Sequence, residues 1–159
     1  MGKAILICGK ICSGKSTYAE RLRTETKAVL LSVDEIMLEL FGLYAGERHD
    51  EYTEKIQKYL FDKSIEIIDS GSDVILDWGF WMKQKRTQAK RFYNDRNIEC
   101  ELHYVDINDT VWSERIAQRN KAVQTGKTKS YIIDNGLMKK FECRFEPPSE
   151  DEIDIRISY

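Results

Sequence analysis

The stretch Ala4-Ile5-Leu6-Ile7-Cys8, followed by Gly9-Lys10-Ile11-Cys12-Ser13-Gly14-Lys15-Ser16-Thr17, constrains this chain more than any other. Five apolar residues of strand length run into the pattern G-x-x-x-x-G-K-[ST]. A backbone that wraps a phosphate must aim successive N–H groups inward, through angles that glycine adopts cheaply. Gly9 is expected to let the chain leave the strand, and Gly14 to let the backbone approach the anion. Lys15 is expected to reach the β- and γ-phosphates, with the Ser16 hydroxyl placed for Mg²⁺. Tyr18, Ala19 and Leu22 then recur at helical spacing, so the phosphates face a helix N-terminus. The strand before and the helix after separate this loop from a chance match, and a nucleoside triphosphate, ATP, is its expected ligand.

With 159 residues and no Ser/Gly-rich linker or internal repeat, the chain reads as a single domain, 1–159. A net charge of −2 argues against coating nucleic acid by charge alone. No stretch approaches membrane-spanning length, and the first strand starts too early for a signal segment, so a cytoplasmic protein with no membrane partner is expected. The four cysteines fit free thiols, and neither they nor the two histidines complete a zinc pattern.

Beyond the loop, strand-like and helix-like segments alternate. Strands are expected at 29–33 (ending on Asp34), 73–77, 101–106 and 153–157. Helices are expected from about 34 to 43, 50 to 70, 82 to 96, 110 to 120 and 134 to 145. This alternation predicts an α/β fold with a parallel sheet, helices on both faces, and the phosphate loop at the carboxyl end of the first strand.

Several residues carry chemistry. Asp34, at the tip of what reads as the strand next to the phosphate loop, is a candidate to accept the proton of an attacking hydroxyl, or else a cap for the following helix. Asp77 ends an apolar strand, where it would join the Mg²⁺ shell with Ser16 or serve as a structural hydrogen-bonding acid. Trp78-Gly79-Phe80-Trp81 offers rings for stacking a ligand or for ordinary packing. Arg115 and Arg119 share a helix face and read as lid arginines or as a solvated charged face. Gly126, Lys127 and Lys129 would be the flexible part of that lid, about 110–136. The run Lys83, Lys85, Arg86, Lys90, Arg91, Arg96 is a candidate strand-binding surface or a solvated helix face. His103 reads as structural, and His49 as a candidate for the acceptor pocket.

The loop, Ser32-Val33-Asp34-Glu35-Ile36-Met37, Val74 through Trp81, Arg115 through Asn120 and Phe145-Glu146-Pro147-Pro148 together resemble the small AAA-type P-loop ATP-binding proteins read as kinases. That group is similar to the zeta-toxin, chloramphenicol phosphotransferase and polynucleotide kinase relatives. The resemblance implies a P-loop NTPase three-layer sandwich, a five-stranded parallel sheet with a helical lid. It also implies Mg²⁺-dependent transfer from ATP to a hydroxyl. By it, Gly9, Lys10, Cys12, Ser13, Gly14, Lys15, Ser16 and Thr17 are nucleotide contacts, and Asp34 activates the acceptor. Arg115 and Arg119 act on the transferred group, and Arg119 and Pro147 lie near the base. Polynucleotide kinases tend to carry Asp-x-x-Arg where this chain has Asp34 and Met37, which weakens the nucleic-acid-end reading.

Three functions follow as expectations. The leading one is a kinase for a small-molecule hydroxyl. The others are a polynucleotide 5′-hydroxyl kinase that uses the basic helix, and an ATP-binding switch with weak hydrolysis.

Overall fold

The computed structural model describes residues 1–43, 45–128 and 132–159. Its strands are β1 (Ala4–Gly9), β2 (Val29–Ser32), β3 (Val74–Gly79), β4 (Cys100–Asp106) and β5 (Ile155–Ser158). The helices between them are α1 (Lys15–Thr26), α2 (Val33–Phe41), α3 (His49–Asp69), α4 (Lys83–Asn94), α5 (Asp109–Gln124) and α6 (Asn135–Arg144). The five strands form one parallel sheet in the order β2-β3-β1-β4-β5.

β1 is buried along its whole length, which is why it reads as an unbroken apolar run rather than an alternating one. Ala4, Leu6 and Cys8 point to one face, where Ile68 of α3 and Ala89 and Tyr93 of α4 close the core. Ile5 and Ile7 point to the other, against Tyr18 and Ala19 of α1. The three-layer α/β fold expected from the alternation of elements is therefore the fold observed. Among the described residues no helix is long and apolar enough to cross a membrane.

The second strand stops one residue earlier than its apolar pattern suggests. Ser32 leaves the sheet as an N-cap, its hydroxyl accepting the Glu35 N–H, so Val33 is already helical. Asp34 thus stands in the first turn of α2, and the capping role considered for it belongs to Ser32. The strand order carries a second correction, since β3 and not β2 is the neighbour of β1 on this side. The last strand starts at Ile155 because Ser149 and Glu152 close a capping box around a 3₁₀ turn, Glu150–Glu152.

The basic helix α4 is the largest departure from its sequence reading. Arg86 is only 1% exposed, the bulkiest of the fully buried side chains. Its guanidinium donates to the carbonyls of Phe80, Trp81 and Glu146 and pairs with Glu152 at 2.9 Å. Lys90 is held by Asp154 at 2.9 Å and Arg91 by Asp95 at 3.5 Å. Of the positive charge in this run, only that of Arg86 lies inside the protein, and Lys83, Lys85, Arg91 and Arg96 are exposed.

Candidate active site

The phosphate loop joins β1 to α1, and its shape is set from outside by α5. The Trp112 indole N–H donates to the Ile11 carbonyl at 2.7 Å, and the Arg115 guanidinium to the Ser13 carbonyl at 2.9 Å. A trans peptide points its two polar groups in opposite directions. Fixing those carbonyls toward α5 therefore turns the Cys12 and Gly14 N–H groups away from it. Cys12 takes a left-handed φ of 56° and Gly14 one of 95°. Gly14 is favoured by its angle, and a Cβ there, 2.9 Å from the tip of the Arg115 side chain, would also push that guanidinium aside. Gly9 is the last residue of β1, where the chain leaves the strand. A Cβ there would stand 2.8 Å from the Val105 carbonyl oxygen and 2.9 Å from Ser13 Oγ, so the glycine also admits the close approach of β4 and of the loop itself.

Lys15 opens α1, whose N-cap Gly14 makes no side-chain capping bond, leaving the first helical N–H groups for an anion. The Lys15 ammonium donates to the Lys10 carbonyl at 2.6 Å. Burial pushes the Lys15 ammonium down from the usual lysine range, against the charges of Asp77 and Asp34, which favour its protonated form. Ser16 Oγ donates to Asp77 Oδ2 at 3.0 Å. Asp77 is buried, and that burial raises its carboxyl above the ordinary range while Lys15 and Ser16 pull it down. Asp34 is exposed on α2, and its charge reaches both Lys15 and Asp77.

These groups open onto a cleft of about 1880 Å³. Cys12 through Thr17, Asp34, Asp77, Arg115 and Arg119 all line it. Arg119 stands one helical turn beyond Arg115, and its positive charge is felt at Lys15. Arg115 lies over the Tyr159 ring at 4.7 Å as well as on the loop carbonyl, so it supports the loop as well as facing the cleft. Asn120 ties α5 to the segment that leads into α6. Its side-chain amide donates to the Ile133 carbonyl at 2.9 Å and accepts the Ile133 N–H at 2.8 Å. Lys129, expected in the lid, lies outside the described residues.

Two expected contacts point elsewhere. The Lys10 ammonium pairs with Asp109 at 3.0 Å and sits 4.4 Å over the Trp112 ring, so its side chain fastens α5 rather than facing the cleft. Pro147 is exposed and does not line the cleft, because the neighbouring Glu146 is drawn onto Trp81 and Arg86 by backbone hydrogen bonds of 2.8 and 2.9 Å. His103 is structural as expected, buried between Tyr18 at 2.8 Å and Glu101 at 3.0 Å. His49 lines the cleft. The sequence reading missed Trp112 and Tyr159. Tyr159 follows the carboxyl end of β5, where parallel sheets bind ligands, and that position was the signal available.

The donor set suits Mg²⁺. Ser16 and Asp77 offer hard oxygen atoms side by side, and among the described residues no group of three or more His, Cys, Asp or Glu forms a closed metal cage. Magnesium bound with a nucleotide keeps waters and phosphate oxygens and needs few protein ligands.

Solved structures share this architecture. A kinase-like protein of Chloroflexus aurantiacus superposes with a TM-score of 0.73 at 18% identity, covering 99% of this chain and 86% of that one. The APS kinase of Mycobacterium tuberculosis, solved with AMPPNP and APS, gives 0.68 at 17% identity, over 99% and 88%. A gluconokinase of Sinorhizobium meliloti 1021 gives 0.61 at 15% identity, over 98% and 82%. No curated protein matches the sequence. The AAA domain family matches residues 5–142, from β1 into α6, and the chain belongs to that family as a P-loop protein of kinase-like fold.

Proposed function

We propose that this chain is an ATP-dependent phosphotransferase that moves the γ-phosphoryl group of ATP to a hydroxyl of a small molecule with Mg²⁺. One domain, 1–159, would carry the reaction, closed by a lid of about 110–136. The observation that carries this reading is the hydrogen bond from Ser16 to Asp77 beside Lys15, with Asp34 facing the same cleft.

In this reading Lys15 and the N–H groups at the start of α1 hold the β- and γ-phosphates. Ser16 and Asp77 would hold the cation, which neutralises phosphate charge when bound. Asp34 accepts the proton as the acceptor oxygen bonds to the γ-phosphorus and the bond to the bridging oxygen breaks, releasing ADP. Arg119, with Arg115 behind it, stabilises negative charge on the transferring group. The four described cysteines are all free, which suits a reducing cytoplasmic setting. The polynucleotide reading loses one cation of its candidate surface, because Arg86 is buried, while Lys83, Lys85, Arg91 and Arg96 stay exposed.

The test is ATP consumption with Mg²⁺ against pooled sugars, nucleosides, aminoglycosides, aryl alcohols and oligonucleotide ends. One pool should raise turnover in the parent protein and fail to do so in Lys15→Ala. Tight ATP binding with no stimulating pool would instead favour a nucleotide switch.

A further inference from the structure

The wall of the cleft that continues from Asp77 is made of rings. Trp78 follows Asp77 on β3, Phe61 comes from α3 and Phe92 from α4, each half-buried and each lining the cleft. Phe61 meets Trp78 edge to face at 5.3 Å and Phe92 at 5.2 Å, and Trp78 stacks on buried Phe80 at 5.2 Å. Such a wall is rigid, because its outer rings rest on rings that belong to the core. Phe80 itself takes a left-handed φ of 45°, rare for a bulky residue, with its carbonyl held by Arg86 at 3.0 Å. The fold maintains a strained turn where Trp78 is presented.

Charge on the same side of the cleft is mostly answered within the protein. Lys140 at 3.1 Å and Arg144 at 3.7 Å share Asp50, and Arg48 and Lys55, both at 2.8 Å, share Glu51. Lys58 lies one turn from both Glu54 and Asp62 on α3. Lys85 of α4 also lines the cleft and has no acid one turn away on its helix. Among the described residues it is a single exposed cation near the rings, so an anionic ligand pressed against them would meet one counter-charge and not a converging set that offsets its lost water. Leu43 and Ile132, exposed at 51% and 47%, add apolar surface to the cleft lining.

We propose that the phosphoryl acceptor is a neutral alcohol bearing a ring, seated with the ring against Trp78 and its hydroxyl toward Asp34. This assignment rests on the phosphotransfer reading and narrows it to one chemical class, against anionic acceptors and against acyclic polyols.

Binding and transfer are to be measured separately. The probes are thymidine and phenyl β-glucoside as neutral ring-bearing alcohols, gluconate and glycerol 3-phosphate as anions, and erythritol as a neutral alcohol without a ring. Affinity is read by calorimetry on the protein saturated with AMPPNP and Mg²⁺, so that the nucleotide position is filled. At least one ring-bearing alcohol should bind about tenfold tighter than erythritol or either anion, as loss of one stacking contact would predict. Trp78→Leu should weaken that binding about tenfold, and Trp78→Phe should restore it to within about threefold. Phe92→Leu attacks the same wall from α4 should Trp78→Leu fold poorly. Preference for an anion or for erythritol overturns the assignment, and so does unchanged affinity in a cooperatively folded Trp78→Leu. Ring binding without phosphate transfer would refute the kinase reading and keep the pocket. Transfer that is fastest to an anion would keep the kinase and refute the pocket.

Discussion

The Ser16 hydroxyl donates to the Asp77 carboxylate at 3.0 Å, tying the end of β3 to the first turn of α1. Because β3 and β1 are neighbours, this bond sits over the carboxyl ends of two adjacent strands, at the point where the phosphate loop runs into α1. It holds two oxygen atoms together where the proposed cation would need them.

Asp77→Asn keeps the shape of that contact and removes its charge. Transfer should fall by about a hundredfold or more, and the Mg²⁺ concentration giving half-maximal rate should rise. A titration of rate against Mg²⁺ that is unchanged from the parent would remove Asp77 from the cation site.

Asp34→Asn tests a different step. The residue is exposed, and its substitution leaves the loop hydrogen bonds in place. Transfer should fall by about 10² to 10⁴, the range for losing a general base, while ATP affinity stays within about twofold. Full transfer by Asp34→Asn would show that the acceptor needs no base there.

Much of this site was legible because its signals are local. The strand–loop–helix at 4–26, the alternation of elements and the acids at strand ends all follow from neighbours in sequence. What failed was non-local. Asp34 looked adjacent to the phosphate loop because its strand comes next in the chain, whereas the sheet inserts β3 between them. Arg86 looked like one of six solvated cations, since nothing within α4 reveals the carbonyls of Phe80, Trp81 and Glu146 that converge on it. Lys10 lies within the loop motif, yet its partners Asp109 and Trp112 lie about a hundred positions away.

Trp112 gives a prediction that depends on such a distant contact. Its indole N–H is bound to the Ile11 carbonyl at 2.7 Å, so Trp112→Phe keeps the ring and deletes one hydrogen bond to the loop. With that carbonyl free to turn, the Cys12 N–H loses its fixed direction, and KM for ATP should rise about five- to tenfold, equivalent to about 1 kcal/mol. Acceptor KM measured at saturating ATP should change much less. Equal effects on both would mean that the bond supports the whole fold rather than the loop.

The Arg86–Glu152 pair makes stability depend on pH in a defined direction. Burial alone would raise the Glu152 carboxyl, but the Arg86 guanidinium and the Ser149 N–H and hydroxyl outweigh it and hold it at about 2. The unfolded chain carries the same group near its ordinary value of 4.5. Above that value both states are ionised and the pair contributes fully. As the pH falls, the unfolded state takes up the proton first, so the contribution shrinks from about pH 5 and is lost by about pH 2. A depression of this size corresponds to about 3 kcal/mol. Urea melts across that range should show the parent losing about that much more stability than Glu152→Gln, which has no proton to bind. Near neutral pH, Arg86→Met and Glu152→Gln should each destabilise, the second by about 3–5 kcal/mol because it strands a buried guanidinium. If parent and Glu152→Gln lose stability in parallel on acidification, the acid sensitivity of the fold lies in other carboxylates.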